Sequence, residues 1–385
     1  MRFGGGGRGG WALAGAGVLG ATLAATFDGT GAGSAADQDW PPFVLVSGLL
    51  LVGLVADESG LFAAAGHALA RLSRSGAVLF TGSVVLVAGV TSVLNLDTSV
   101  AFLTPVLVYA ARRRGGSEAP LLYGCLLLSN AASLLLPGSN LTNLIVLGHL
   151  HLSGGRFLGK VAPAWLVSVL LTAGVVAWVE RRSLRTAPGV EPAPAATEDR
   201  DGPAFALALA AVVAVAALVL VLRSPALPVA AVGVVAVGAR MVAGKAPLTR
   251  VLDLLGLPVL VGLFGVAVAL GTLGRSWSAP TTALSHLDAW GTAAVAAAAS
   301  VVCNNLPAAS LLAARVPPRP FALLVGLDIG PNLFVTGSLA WILWLRAAAG
   351  AGAAPSIARA TRLGLVAAPL AMGGALGVLV LAGIR

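Results

Sequence analysis

Apolar residues run along this chain in long blocks, separated by short polar or basic groups. Blocks at about 11–26, 42–57, 119–152, 161–179, 203–222, 226–243, 255–273, 319–346 and 363–383 read as membrane spans. Two more blocks, about 77–111 and 290–315, do not read as simple spans, because polar residues interrupt their middles and basic residues flank both ends. Arg71 and Arg74 precede the first, and Arg112, Arg113 and Arg114 follow it. If short basic loops stay in the cytoplasm, both ends lie on one side. The block then enters and leaves as a re-entrant hairpin with its tip at Asn95-Leu96-Asp97-Thr98. An ordinary span followed by a shorter return is the alternative.

Composition excludes a soluble domain. The chain has 385 residues, 58% hydrophobic and 10% charged, where a soluble domain averages about 25% charged residues. The expected fold class is an all-α polytopic membrane protein, because only satisfied backbones survive in lipid. The net charge of +9 is spread in short groups between apolar blocks, as topology signals are, which excludes nucleic acid as a partner. Cys125 and Cys303 both lie in apolar blocks, so neither a disulfide framework nor a zinc site is expected. Cys303 reads as a small apolar filler or a metalloid-handling thiol. Residues 1–35 read as a retained first span or as a signal peptide with small residues at Gly33-Ser34-Ala35-Ala36.

Threading the chain with a cytoplasmic N-terminus leaves seven of the 24 Lys and Arg outside: Arg156, Lys160, Arg223, Arg275, Arg315, Arg319 and Arg385. The other seventeen fall inside, which favours this orientation. The hairpin at 77–111 then opens inward and the one at 290–315 outward. Gly138-Ser139-Asn140-Leu141 is echoed by Gly330-Pro331-Asn332-Leu333, each mid-way in a long block and each after a polar tip. Order, spacing and opposite orientation together predict an inverted repeat with two re-entrant hairpins and two broken transmembrane helices. The first repeat covers 1–185 and the second 203–385, joined by a Pro- and charge-rich cytoplasmic linker at 186–202. Leu61 to Leu72 reads as an amphipathic interfacial helix that carries His67, and His149 and His151 also read as interfacial.

A helix broken at mid-membrane offers amide N–H groups at one half-helix terminus and carbonyls at the other. Amides and hydroxyls there add neutral donors and acceptors. The candidate breaking residues are Pro137, Gly138, Pro307, Gly330 and Pro331. The candidate substrate- or ion-binding residues are Asn95, Asp97, Thr98, Ser139, Asn140, Asn143, Asn304, Asn305, Asp328, Asn332, Thr336 and Ser338. Ser129 and Asn130 join them as pathway residues. Asp97 and Asp328 are expected to be the only acids deep in the membrane. A carboxylate there is costly, so it is paired, neutralised or functional. Both are candidates for handling a proton or a cation. In the plainer readings Asp97 caps the helix from Thr98, and Asp328 binds amides freed at its own break. No G-x-x-x-x-G-K-[ST] loop, catalytic triad or metal-ligand cluster is present, so no cofactor and no enzyme activity is expected.

These motifs resemble the ion transporter superfamily and, within it, the membrane subunit of arsenical pumps, the arsenite antiporters. The stretch Asp328 to Leu345 is similar to that family's Asp-Leu-Gly-Pro…Gly-Ser-Leu-Ala…Leu-Trp-Leu signature. Ser300 to Leu311 resembles its Asn-Asn-Met-Pro stretch, Asn95 to Val106 its Asn-Asp-Gly…Thr-Pro stretch, and Ser139 to Leu144 its Ser-Asn-Leu-x-Asn stretch. Leu96 separates Asn95 from Asp97, and Asn332 stands where the family is expected to have Lys. The resemblance implies export of arsenite or antimonite against protons at the cell membrane. It also implies optional coupling to a separate ATPase subunit. The expected partners are a small inorganic solute, a coupling ion (proton or sodium), the lipid bilayer and a second copy in a homodimer. A sodium/proton antiporter or sodium-coupled anion symporter of the same superfamily is the competing expectation.

Overall fold

A computed structural model describes residues 8–72, 75–148, 150, 152–185 and 202–384. The 186–201 part of the expected linker, His149 and His151 lie outside the described residues. Every described element is a helix or a helical turn. Helix α1 (Arg8–Phe27) leads into α2 (Gly29–Glu58), whose start is fixed by Asp28, with its carboxylate accepting from the Gly31 amide at 2.8 Å. A short helix α3 (Leu61–Leu72) follows, as its amphipathic pattern predicts. Then come α4 (Gly76–Leu94), α5 (Leu96–Arg113), α6 (Ala119–Ala132), α7 (Leu141–Leu147), α8 (Gly154–Val179) and α9 (Arg181–Arg185). The rest of the chain forms α10 (Gly202–Val221), α11 (Ala226–Val242), α12 (Leu248–Leu255), α13 (Leu257–Ser276), α14 (Ala279–His286), α15 (Ala289–Cys303), α16 (Asn305–Leu312), α17 (Pro320–Ile329), α18 (Leu339–Gly350) and α19 (Ile357–Leu381). Seven of the described helical stretches are long and apolar enough to cross a membrane. Large apolar residues such as Val85, Val213 and Leu370 stay exposed on them, as lipid-facing surfaces require.

Several expectations change here. Helix α2 begins at Gly29 rather than near 42. Its added turns carry Asp39, which at 1% exposed is as buried in the protein as Asp97 and Asp328. Hydropathy hides this residue because Gln38, Asp39 and Trp40 interrupt the apolar run, whereas neighbouring helices bury Asp39 and leave Trp40 exposed. The two interrupted blocks also differ in size. With 19 and 18 residues, α4 and α5 each extend about 27–28 Å, so the second limb of 77–111 is not a short return. With 15 and 8 residues, α15 and α16 are shorter limbs, and the second ends at Leu312 rather than 315. Pro307 sits in the first turn of α16, where its missing N–H is harmless, and breaks no helix.

The loops sort into two ends of the bundle. At one end Arg250 pairs with Asp57 and Glu58, and Arg112 holds Glu118 at 2.9 Å and the carbonyls of Ala351 and Gly352. There also Arg359 donates to both oxygens of Glu180, at 2.6 and 2.7 Å, and lies over the Tyr123 ring. At the other end Arg275 contacts Ser34 and Gln38, and Arg315 donates to the Arg275 carbonyl. Small residues bring the middle together. Gly326 and Gly330 lie against Ala293, Ala296 and Ala297 of α15, and Gly364 of α19 lies against the Asn332 carbonyl.

Candidate functional site

The two non-glycine residues with left-handed backbone among those described are Asn95 (φ 112°) and Asn304 (φ 75°). Each joins the two limbs of an interrupted block. Each also caps the second limb: the Asn95 side chain accepts from the Thr98 amide at 2.8 Å, and Asn304 from the Leu306 amide at 3.3 Å. Asparagine suits this position because its short amide can bond locally where L-residues are otherwise strained. Asp97 therefore does not cap its helix. It lies in the first turn of α5, 8% exposed, with one carboxylate oxygen lacking a hydrogen-bond partner. The Thr98 hydroxyl and Asn95 amide nitrogen are likewise unpartnered.

Both long blocks break, and each break is sealed by its own second half. Between α6 and α7 a single 3-10 turn spans Pro137–Ser139, and between α17 and α18 another spans Gly330–Leu333. At the first break, Asn143 donates to the carbonyls of Ser133 and Leu136, at 2.7 and 3.1 Å. At the second, the Trp341 indole donates to the Pro331 carbonyl at 2.9 Å. Each hairpin tip is tied to the break of its own half. Ser139 donates to the Ser92 carbonyl at 2.9 Å, and the Asn305 amide donates to the Gly337 carbonyl at 2.9 Å. Asn304 reaches the Thr336 carbonyl at 3.4 Å, and the Thr336 hydroxyl donates to Val301.

The breaks meet through reciprocal side-chain contacts. Asn140, the N-cap of α7, donates to Asp328 of α17 at 2.9 Å. Ser338, the N-cap of α18, donates to Asn130 of α6 at 3.2 Å. The acceptor precedes its own half's cap by the same interval in both cases (130 to 140, 328 to 338). By role Asn140 therefore corresponds to Ser338, and the Gly-Ser-Asn-Leu and Gly-Pro-Asn-Leu echo is out of register. Asn332 caps nothing; it donates to the Leu127 carbonyl at 2.9 Å.

Asp328 is fully buried. One of its oxygens accepts from Asn140 and from the Thr142 hydroxyl at 2.7 Å, while the other has no partner. It thus bonds side chains of the other half instead of amides at its own break. Thr142 was not among the sequence candidates, although it stands two places after the capping Asn140. Ser129 extends the polar surface by donating to Ser99 of α5 at 3.3 Å. No hydrogen bond links Asp97 to Asp328 among the described residues. The only buried basic residue among those described is Arg240 on α11, a neighbour of Glu58. The cluster therefore offers carboxylates, amides and hydroxyls without a cation. No group of three metal-ligating side chains occurs among the described residues.

A family described as a citrate transporter, CitMHS, matches residues 7–326. An arsenical pump membrane protein of Yersinia enterocolitica is 25% identical over 342 residues, covering 80% of this chain and 78% of that protein. One of Escherichia coli is 25% identical over 339 residues, with the same coverage. The solved YdaH transporter of Alcanivorax borkumensis aligns over 93% of this chain and 88% of its own, at 17% identity and a TM-score of 0.49.

Proposed function

The chain belongs to the citrate transporter family, and on that premise we propose that it exports arsenite or antimonite in exchange for protons. It is a multi-pass membrane transporter. The observation that carries the cargo is the absence of Lys and Arg from the cluster around Asp328, Asn140, Thr142, Asn130 and Ser338, among the described residues. A citrate trianion or another carboxylate would require guanidinium or ammonium partners once desolvated. Arsenous acid is a neutral trihydroxide at neutral pH, and amides and hydroxyls suffice to replace its water. The arsenical pump relatives are similar over most of their length, which supports the same cargo.

Asp97 and Asp328 serve in this reading as the proton- or cation-handling groups. Each keeps a buried carboxylate oxygen without a partner, ready for a proton or an ion. The halves 1–185 and 203–385 act as inverted repeats, and the paired breaks let one half move against the other around a fixed site. The end bearing Arg223 and Arg275 faces outward, and the end bearing Arg112 and Arg359 faces the cytoplasm of a cell-membrane protein. A homodimer and a separate ATPase subunit are further elements of this reading.

The test is arsenite retention in an arsenite-sensitive bacterial host that expresses the chain, with and without a proton uncoupler. Lower retention that the uncoupler restores supports the reading. Unchanged retention removes the metalloid. Sodium-driven citrate uptake in the same cells would instead install the carboxylate cargo that the family's description suggests.

A further inference from the structure

We propose that Asp39 is a proton-binding site of this transporter, and that Gln38 and Arg275 form the gate that closes over it. The assignment of this end to the outside rests on the transport reading above.

Asp39 lies on α2, 1% exposed, and neither of its carboxylate oxygens meets a donor in hydrogen-bond geometry, since the Ser310 hydroxyl beside it donates to the Leu306 carbonyl instead. An isolated buried carboxylate is paired, protonated or awaiting a cation, since a lone charge is expensive there. Its polar neighbours are the Ser310 hydroxyl of α16 and the Arg275 guanidinium of α13. Helices α7 and α16 carry no ionisable residue. The Arg275 guanidinium is thus the charged group facing it across the helix packing, and Asp37 and Arg223 stand farther out on a cavity wall.

That cavity holds about 660 Å³ and is lined by Gln38, Trp40, Pro137, Leu144, Arg223 and Arg275, among others. Asp39 is not on its wall, whereas Gln38, its chain neighbour, and Arg275, the charged group that faces it, both are. Gln38 is also a clamp. Its amide donates to the Ile145 carbonyl of α7 at 3.2 Å and to the Ala313 carbonyl beyond α16 at 2.9 Å. These two segments belong to different halves of the chain. Its amide oxygen accepts from Arg275 at 2.5 Å, and Arg275 is steadied by the carbonyls of Ser34 and Gly271.

The parts work as a switch on one proton. With Asp39 protonated, Arg275 stays on Gln38 and the clamp holds α7 to the segment after α16, as observed. When the proton leaves toward the cavity, the carboxylate competes for the guanidinium. Gln38 loses the partner that orients it, and the two halves are released at this end. A proton returning from cavity water restores the clamp.

The experiment needs no cargo, so its outcome is independent of whether arsenite is transported. A nitroxide is placed at Leu144→Cys in a Cys303→Ala chain reconstituted in liposomes. Its collision rate with a polar paramagnetic quencher is read by electron paramagnetic resonance from acidic to alkaline pH. Accessibility is expected to rise about fivefold with pH in this reference chain, to stay low and flat in Asp39→Asn, and to stay high and flat in Gln38→Ala. A full pH response in Asp39→Asn, or none in the reference chain, overturns the proposal. If Asp39→Asn does not fold, Arg275→Gln serves in its place. It is expected to be high and flat, and an unchanged response there overturns the gate.

Discussion

Asn140, at the start of α7, donates its side-chain amide to the Asp328 carboxylate 2.9 Å away, across 188 positions of chain. The bond joins the interrupted segment of one half to that of the other. Asp328→Asn keeps the shape and an acceptor oxygen but removes the charge. Membrane insertion is expected to be unchanged and pH-dependent arsenite uptake by everted vesicles lost. Full proton-coupled uptake in that variant removes Asp328 from the mechanism. Asp328→Ala strands two buried donors and should cost about 1–3 kcal/mol, read as a lower melting temperature in detergent.

The reciprocal contact between Ser338 and Asn130 has no charge. A double-mutant cycle of Ser338→Ala and Asn130→Ala should give a coupling near 0.6 kcal/mol, the average for hydrogen bonds between membrane helices. Measured by unfolding in detergent, a coupling of zero would mean that the pair is not formed in the bilayer state.

Glu180 is 1% exposed, while its partner Arg359 is about half exposed. Arg359→Ala leaves the buried carboxylate with little compensation, whereas Glu180→Gln leaves only a solvated cation. The first variant should therefore melt at a clearly lower temperature than the second. The reverse order would place Glu180 in contact with water.

A side chain at Gly364 would run into the Asn332 carbonyl at the second break. Gly364→Ala must push α19 away from that turn, at a cost of about 1–3 kcal/mol by the usual scale of overpacking. Loss of transport at normal expression, with a lower melting temperature, is the expected result. A variant with wild-type transport and melting would show that the turn moves freely.

Ser117 and Ala279 are exposed at opposite ends of the bundle. Cysteines placed there and probed with an impermeant maleimide on intact cells should label only at Ala279→Cys. Labelling at Ser117→Cys alone reverses the orientation.

Much of the helical frame was legible in the chain. Hydropathy placed α1, α10, α11 and α19 within a few residues, apart from the early start of α19 at Ile357, because long apolar runs in lipid have no alternative to helix. Glycine, proline and asparagine marked both breaks, since those residues favour non-helical backbone locally. Asn95 and Asn304 were visible as polar tips. Their shared left-handed conformation was not, because a dihedral angle leaves no mark on composition.

Partnership was the part that sequence could not supply. The repeated Gly-Ser-Asn-Leu and Gly-Pro-Asn-Leu tetrads suggested one register, whereas the hydrogen bonds set another, in which Asn140 and Ser338 play the same role. A four-residue likeness reports local backbone preference, while a role depends on which distant acceptor lies in reach. Asp39 makes the same point, since it falls outside the apolar blocks of the sequence, whereas α13 and α16 are its neighbours in the fold. The chain alone determined that this protein crosses a membrane as helices, and where those helices break, because both follow from local hydrophobicity and backbone propensity. Only the tertiary structure decided which acid faces which amide, because that depends on contacts between segments far apart in sequence.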